Sequence, residues 1–172
     1  MTPREQEEYR ALRRTIAERG TARVWIFLVS ILGWGALAIA TSTLSAPPVA
    51  TLLPLLVLAG AFEAVFALHV GVERIGRYLQ VFFDDQWEHM AMAFGRPRAA
   101  PAVDPLFAIP YVLATAFNLM PALIAAPTVP ELTFVGGGHA LFVLRLLVAR
   151  AAARKQRAVD LARFEELKQQ RT

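Results

Sequence analysis

VWIFLVSILGWGALAIATSTLSAPPVATLLPLLVLAGAF, residues 24–62, contains no Asp, Glu, Lys or Arg. A soluble domain needs charge distributed around its whole surface, and this stretch offers none. Working outward, residues 105–144 repeat the pattern, with Glu131 as the single acidic or basic side chain apart from a histidine. Across the 172 residues, 56% are hydrophobic and 19% charged. Crossing ~30 Å of hydrocarbon takes about 20 helical residues. Four stretches reach or approach that length: 24–44, 48–72, 105–126 and 132–149. The expected fold is all-α, an integral membrane four-helix bundle with cytoplasmic helical extensions.

Basic residues predict its orientation. Six arginines precede residue 24, Arg74, Arg77, Arg96 and Arg98 fall between the second and third spans, and eight basic residues occupy 145–172, which accounts for all 18. The connections at 45–48 and 127–131 carry none. Cytoplasmic segments collect Lys and Arg, so both ends and the middle loop are expected on the cytoplasmic side, which requires an even number of spans. The net charge of +4 is then an orientation signal, and nucleic acid is not expected as a partner. The basic residues are nearly all arginine and alanine is abundant, a bias that points to GC-rich coding and a bacterial inner membrane. A cleaved signal peptide is disfavoured: the apolar stretch is too long, and Pro47 follows the only plausible cleavage site at Ala46. With no cysteine, disulfides, thiolate catalysis and iron–sulfur ligation are excluded.

Thr2-Pro3-Arg4-Glu5 has the form of a capping box with proline at the first helical position. It should open an amphipathic cytoplasmic helix within residues 1–23, ending near Gly20 and lying along the membrane surface. The second span has no stop signal at residue 72, so its helix is expected to continue to Phe94, about 46 residues or ~69 Å in all. A linker over Gly95–Val103 completes the cytoplasmic segment 73–104, and Asp104-Pro105 should open the third span. Thr128-Val129-Pro130-Glu131 repeats the capping box outside. The fourth span should run on as a cytoplasmic C-terminal helix over residues 150–172.

Few residues in the spans carry chemistry. Glu63 and Arg145 each lie about four residues, ~6 Å, inward of the midpoint of their span. Charges at such depth are costly, so a Glu63–Arg145 ion pair facing the bundle is expected. Asn118 and His139 form a second depth-matched set, and Gly136-Gly137-Gly138 permits close approach beside His139. Gly60, Ala64, Ala67 and Gly71 make a small-residue stripe suited to helix packing. His69, Glu73 and Arg77, at i, i+4 and i+8, form a stripe at the cytoplasmic interface. Asp84, Asp85, Glu88 and His89 could present i, i+4 ligand pairs to a divalent metal, a weak signal on a single helix. Bis-histidine haem is disfavoured, since His69 and His139 stand ~18 Å apart in depth. No cofactor is expected.

No phosphate loop, dinucleotide fingerprint or hydrolase elbow occurs. The expectation is a non-catalytic membrane protein that self-associates or serves as an accessory subunit, with lipids and membrane proteins as partners. The alternative is a small transporter or channel whose path uses Glu63, Arg145, Asn118 and His139.

Overall fold

The computed structural model describes residues 1–44, 46–94 and 105–170. Among these the secondary structure is helical, with no strand. Helix α1 covers Pro3–Thr43, a 3-10 turn at Pro48–Thr51 leads into α2 at Leu52–Phe83, and α3 covers Gln86–Phe94. Helix α4 is Pro105–Ile124 and α5 is Val129–Gln169. Three of these segments, Pro3–Thr43, Pro48–Phe83 and Val129–Gln169, are long and apolar enough to cross a membrane. Helix α4 is apolar and shorter, with Pro110 and Pro121 inside it. The expected linker Gly95–Val103 and the Asp104 cap lie outside the described residues.

The first capping box forms with both its bonds, and the second with the glutamate half. The Thr2 amide donates to Glu5 Oε2 at 2.6 Å and the Glu5 amide to Thr2 Oγ1 at 3.3 Å. At the second, the Thr128 amide and hydroxyl both donate to Glu131 Oε2, at 2.9 and 2.7 Å. These contacts satisfy amides that a helix start leaves without intrahelical partners.

Two helix boundaries depart from the sequence reading. Helix α1 does not end near Gly20 but continues unbroken to Thr43. A single glycine costs a helix interior only ~1 kcal/mol, and uninterrupted apolar sequence follows at Val24, so propagation wins. Residues 1–23 are therefore continuous with the apolar part of a helix long enough to cross a membrane. The second departure is at Asp84-Asp85, where the expected 46-residue helix breaks. Asp84 adopts a positive φ of 49°, a left-handed turn that aspartate tolerates better than most residues. Asp85 then caps α3, its Oδ1 accepting from the amides of Trp87 (3.0 Å) and Glu88 (3.4 Å).

The break reverses the chain. A Cβ on Gly76 would sit 2.7 Å from Glu88 Oε2, so α3 folds back along α2 and lays the Glu88 carboxylate over Gly76. Had the helix run straight, residue 88 would lie ~18 Å beyond residue 76.

The chain divides into two compact units. The charge-rich unit comprises the described residues of 1–23, 66–101 and 151–172. Within it Tyr78, Phe82 and Phe164 form an aromatic cluster, with Tyr9 against Phe83. Tyr78 donates to Glu8 Oε1 at 2.8 Å, Arg74 pairs with Asp160 at 3.1 Å, and Lys168 donates to the Val81 carbonyl at 2.6 Å. The apolar unit comprises the described residues of 24–65 and 102–150. Tyr111 is its centre, fully buried between Phe27, Phe62 and Phe142 at edge-on ring distances of 5.4–6.4 Å. Its hydroxyl is buried without a hydrogen-bond partner among the described residues.

Candidate functional site

The polar residues of the apolar unit fall into two arrangements. The first is internal and centred on Asn118, which is 2% exposed. Its Nδ2 donates to the Thr51 carbonyl at 2.7 Å and lies 3.0 Å from His139 Nε2. Its Oδ1 accepts from the Trp34 indole at 3.2 Å. His139, 3% exposed, places Nδ1 2.8 Å from the Val135 carbonyl. A carbonyl only accepts, so Nδ1 carries the proton and Nε2 is the acceptor for Asn118. One asparagine thus ties α1, the 3-10 turn and α5 to α4, with both amide hydrogens and the carbonyl oxygen committed. Depth matching identified Asn118 and His139 as a set; Trp34 and Thr51 were not foreseen. The detectable signal was an indole at mid-depth, where Trp34 needs an acceptor that lipid cannot provide.

The second arrangement is Glu63 with Arg145. Arg145 Nε lies 2.7 Å from Glu63 Oε1 and Nη2 lies 2.9 Å from Oε2, a bidentate pair. The Arg145 guanidinium also sits 5.6 Å from the Phe62 ring centre. Pairing at matched depth follows the sequence expectation, but its direction does not. Glu63 is 51% exposed and Arg145 35%, so the pair faces outward from the chain instead of into the bundle. The inward positions on this part of α2 are taken by Leu58, Ala61, Phe62 and Val65, all buried. Apolar bulk claims the interior, and the carboxylate on the opposite side is left outside.

The small-residue stripe shares that direction. Gly60 and Ala67 are exposed and a Cβ at Gly60 would meet nothing within 4 Å, so this chain's own helices do not cover that part of the stripe. Gly71 alone has a close neighbour, with Arg19 Nη1 2.7 Å from where its Cβ would be. The chain's own helices thus meet the stripe at Gly71 and leave it open at Gly60 and Ala67.

In the charge-rich unit, His69, Glu73 and Arg77 pair along the expected stripe and join a wider network. Arg77 is 2% exposed, and its nearest carboxylate oxygen, on Glu73, stands 3.6 Å away. Glu73 is held by Arg157, whose Nε donates at 2.8 Å, and His69 Nε2 lies 3.5 Å from it. His69 also has Arg23 Nη1 3.2 Å from its Nδ1. Through Arg157 and Arg23 these residues link α2 to α5 and α1.

The acidic segment is likewise re-registered by the break at Asp84. Asp84 pairs with His89 at 3.2 Å, while Asp85 and Glu88 bind Arg13 at 2.5 and 2.7 Å. Tyr9 adds a 2.8 Å bond to Asp85 Oδ2. Burial pushes the Asp85 carboxyl up, but the Tyr9 hydroxyl and the Arg13 guanidinium outweigh it and hold the group below its usual range. A guanidinium therefore occupies the place where a metal was considered, and among the described residues no three His, Asp or Glu side chains converge on one point.

A groove of about 460 Å³ runs between α4 and α5, lined by Val112, Ala116 and Leu119 on one side and Gly136, Ala140 and Val143 on the other. Its polar members, Thr115 and His139, direct their bonds to the Tyr111 and Val135 carbonyls. No protein-family model matches the chain, and comparison with curated proteins and with solved structures yields no match either.

Proposed function

We propose that this chain is a four-span protein of the bacterial inner membrane that acts by assembling with other membrane-spanning protein and performs no catalysis. In this reading α4 also crosses the membrane, as the third of four spans, and the arginine-rich segments at both ends and in the middle lie on the cytoplasmic side, as charge bias requires.

The outward-facing Glu63–Arg145 pair carries the proposal. Each of these side chains is penalised by roughly 2.5–3.5 kcal/mol at mid-membrane on insertion scales, and polar groups at that depth almost always face protein or a water-filled cavity. Here the pair lies at the outer surface of the chain, with Glu63 half exposed and Arg145 a third exposed. A protein partner supplies what is missing. Helix α1 adds support, since none of its residues is buried although it holds one of the longest apolar stretches.

A transport path through Glu63, Arg145, Asn118 and His139 fits the geometry less well. Asn118 and His139 saturate one another in the interior, while Glu63 and Arg145 close on each other at the surface. The four do not line a shared aqueous space.

The test is extraction from the membrane into polymer-bounded nanodiscs without detergent, followed by mass measurement and protein identification. Assembly predicts particles containing more protein than one 18.9-kDa chain. Particles holding a single chain and lipid only would overturn it.

A further inference from the structure

We propose that the partner on the Glu63–Arg145 face is a second copy of this chain, related by a two-fold axis along the membrane normal. The inference rests on the assembly reading above and adds the identity and symmetry of the partner.

The charge arrangement points to a second copy because it is complementary to itself. Counted along their spans, Glu63 and Arg145 fall at matched depth, and they bind each other directly; in the proposed dimer the line from carboxylate to guanidinium is taken to run along the membrane plane. Rotation by 180° about the membrane normal reverses that line. Two copies set face to face then place Glu63 opposite the partner's Arg145 and Arg145 opposite the partner's Glu63. Four charges alternate around the axis, each with two neighbours of opposite sign. Such an interface is isologous, the arrangement by which most soluble homodimers close, and the same geometric logic holds within a bilayer. A partner of different sequence would need its own acid and base at this depth and spacing. A second copy supplies both without further assumption.

The surface around the pair permits the approach. Gly60 on α2 projects nothing towards the partner, so two α2 backbones can come close at the level of the charges. Leu56, one turn before Gly60, and Leu141, one turn before Arg145, are exposed and flank the charges with apolar surface. Closing this face removes the ion pair from lipid and leaves each carboxylate with two cationic partners.

The test exploits the sign of the charges in the full-length chain. The double variant Glu63→Arg/Arg145→Glu keeps the pair within each copy and keeps the alternation between two identical copies. Mixed with the wild-type chain, it sets acid against acid and base against base. Single cysteines at Leu56, in a chain with no other cysteine, report contact through oxidative crosslinking in membranes. Two differently tagged populations distinguish identical from mixed pairs.

Expected are crosslinked dimers for wild type with itself and for the double variant with itself. Mixed dimers should fall by about tenfold or more, the factor that ~1.4 kcal/mol of like-charge repulsion produces. Mixed dimers as abundant as identical ones would overturn the proposed interface. So would a nanodisc particle in which one chain is held by a different membrane protein and released by Glu63→Gln, although the assembly reading would then stand. A lone chain in nanodiscs, with no crosslink in any combination, would overturn both.

Discussion

Replacing Asn118 by leucine should weaken the apolar unit more than any other single loss of a polar group in it. The substitution keeps the volume of the side chain and removes three contacts at once: to Trp34 at 3.2 Å, Thr51 at 2.7 Å and His139 at 3.0 Å. Hydrogen bonds between helices in membranes average ~0.6 kcal/mol and reach ~1.7, so three cost about 2 kcal/mol at the average and about 5 at the upper end. His139 Nε2 and the Trp34 indole are left in apolar surroundings, which moves the cost upward within that range. Trp34→Phe removes a single contact and should cost about 0.6–1.7 kcal/mol. In the Asn118→Leu background the same change should cost almost nothing, because its acceptor is already gone. Reversible unfolding in mixed micelles, followed by helical signal against denaturing detergent, reads all four states. If Asn118→Leu stays within about 0.5 kcal/mol of the wild type, the usual range for an inert surface change, the hub is not what holds these helices together.

Further outcomes follow from the same contacts. Tyr111→Phe should leave stability unchanged or raise it by up to about 1–3 kcal/mol, because it deletes a buried hydroxyl that has no partner; a clear loss by thermal unfolding would show that the hydroxyl is bonded. For the ion pair, Glu63→Gln and Arg145→Gln should each destabilise, and the double variant should cost less than the two together by about 0.5–3 kcal/mol; additive losses would refute direct pairing. Asp85 titrates lower in the folded chain than when unfolded, so its contribution is complete above the unfolded value near pH 4 and is lost as pH falls through the lower folded value. Hydrogen-exchange protection of α3, corrected for intrinsic rate, should therefore hold from neutral pH to about 5 and fall only below about 4; loss beginning near pH 6 would contradict the role given to Asp85. A cysteine replacing Thr128 should react with an impermeant thiol reagent applied outside cells, and one replacing Ala91 should not.

Features set by local chemistry or by depth were legible in the sequence. Two Thr-x-x-Glu boxes marked helix starts, since the capping groups lie within one turn of each other. Charge-free stretches marked apolar helices, three of them long enough to cross a membrane, and depth alone paired Glu63 with Arg145 and Asn118 with His139. Direction around the helix axis was harder. Glu63 was expected to face inward because charge avoids lipid, but α2 has one apolar face to bury, and Leu58, Phe62 and Val65 claim it. The Asp84-Asp85 break was hidden by helical periodicity that continues on both sides of it. Its signal was present: two adjacent aspartates favour a left-handed residue followed by an N-cap. Partnerships between distant segments, such as Arg13 with Asp85 or Arg157 with Glu73, leave no trace in spacing along a single helix.

Whether protein or lipid covers the face bearing Glu63 and Arg145 can be read from a nitroxide attached at Leu56→Cys. Leucine there is already large and exposed, so the label does not fill the space above Gly60. Its collision rate with oxygen dissolved in the bilayer is compared with that of a label at Leu113→Cys, an exposed position on α4. Coverage by protein predicts a collision rate at position 56 several-fold below that at position 113, rising to match it when Glu63→Gln is added. Equal rates at the two positions in the unaltered pair would mean that lipid touches the ion pair, and the assembly reading would fall.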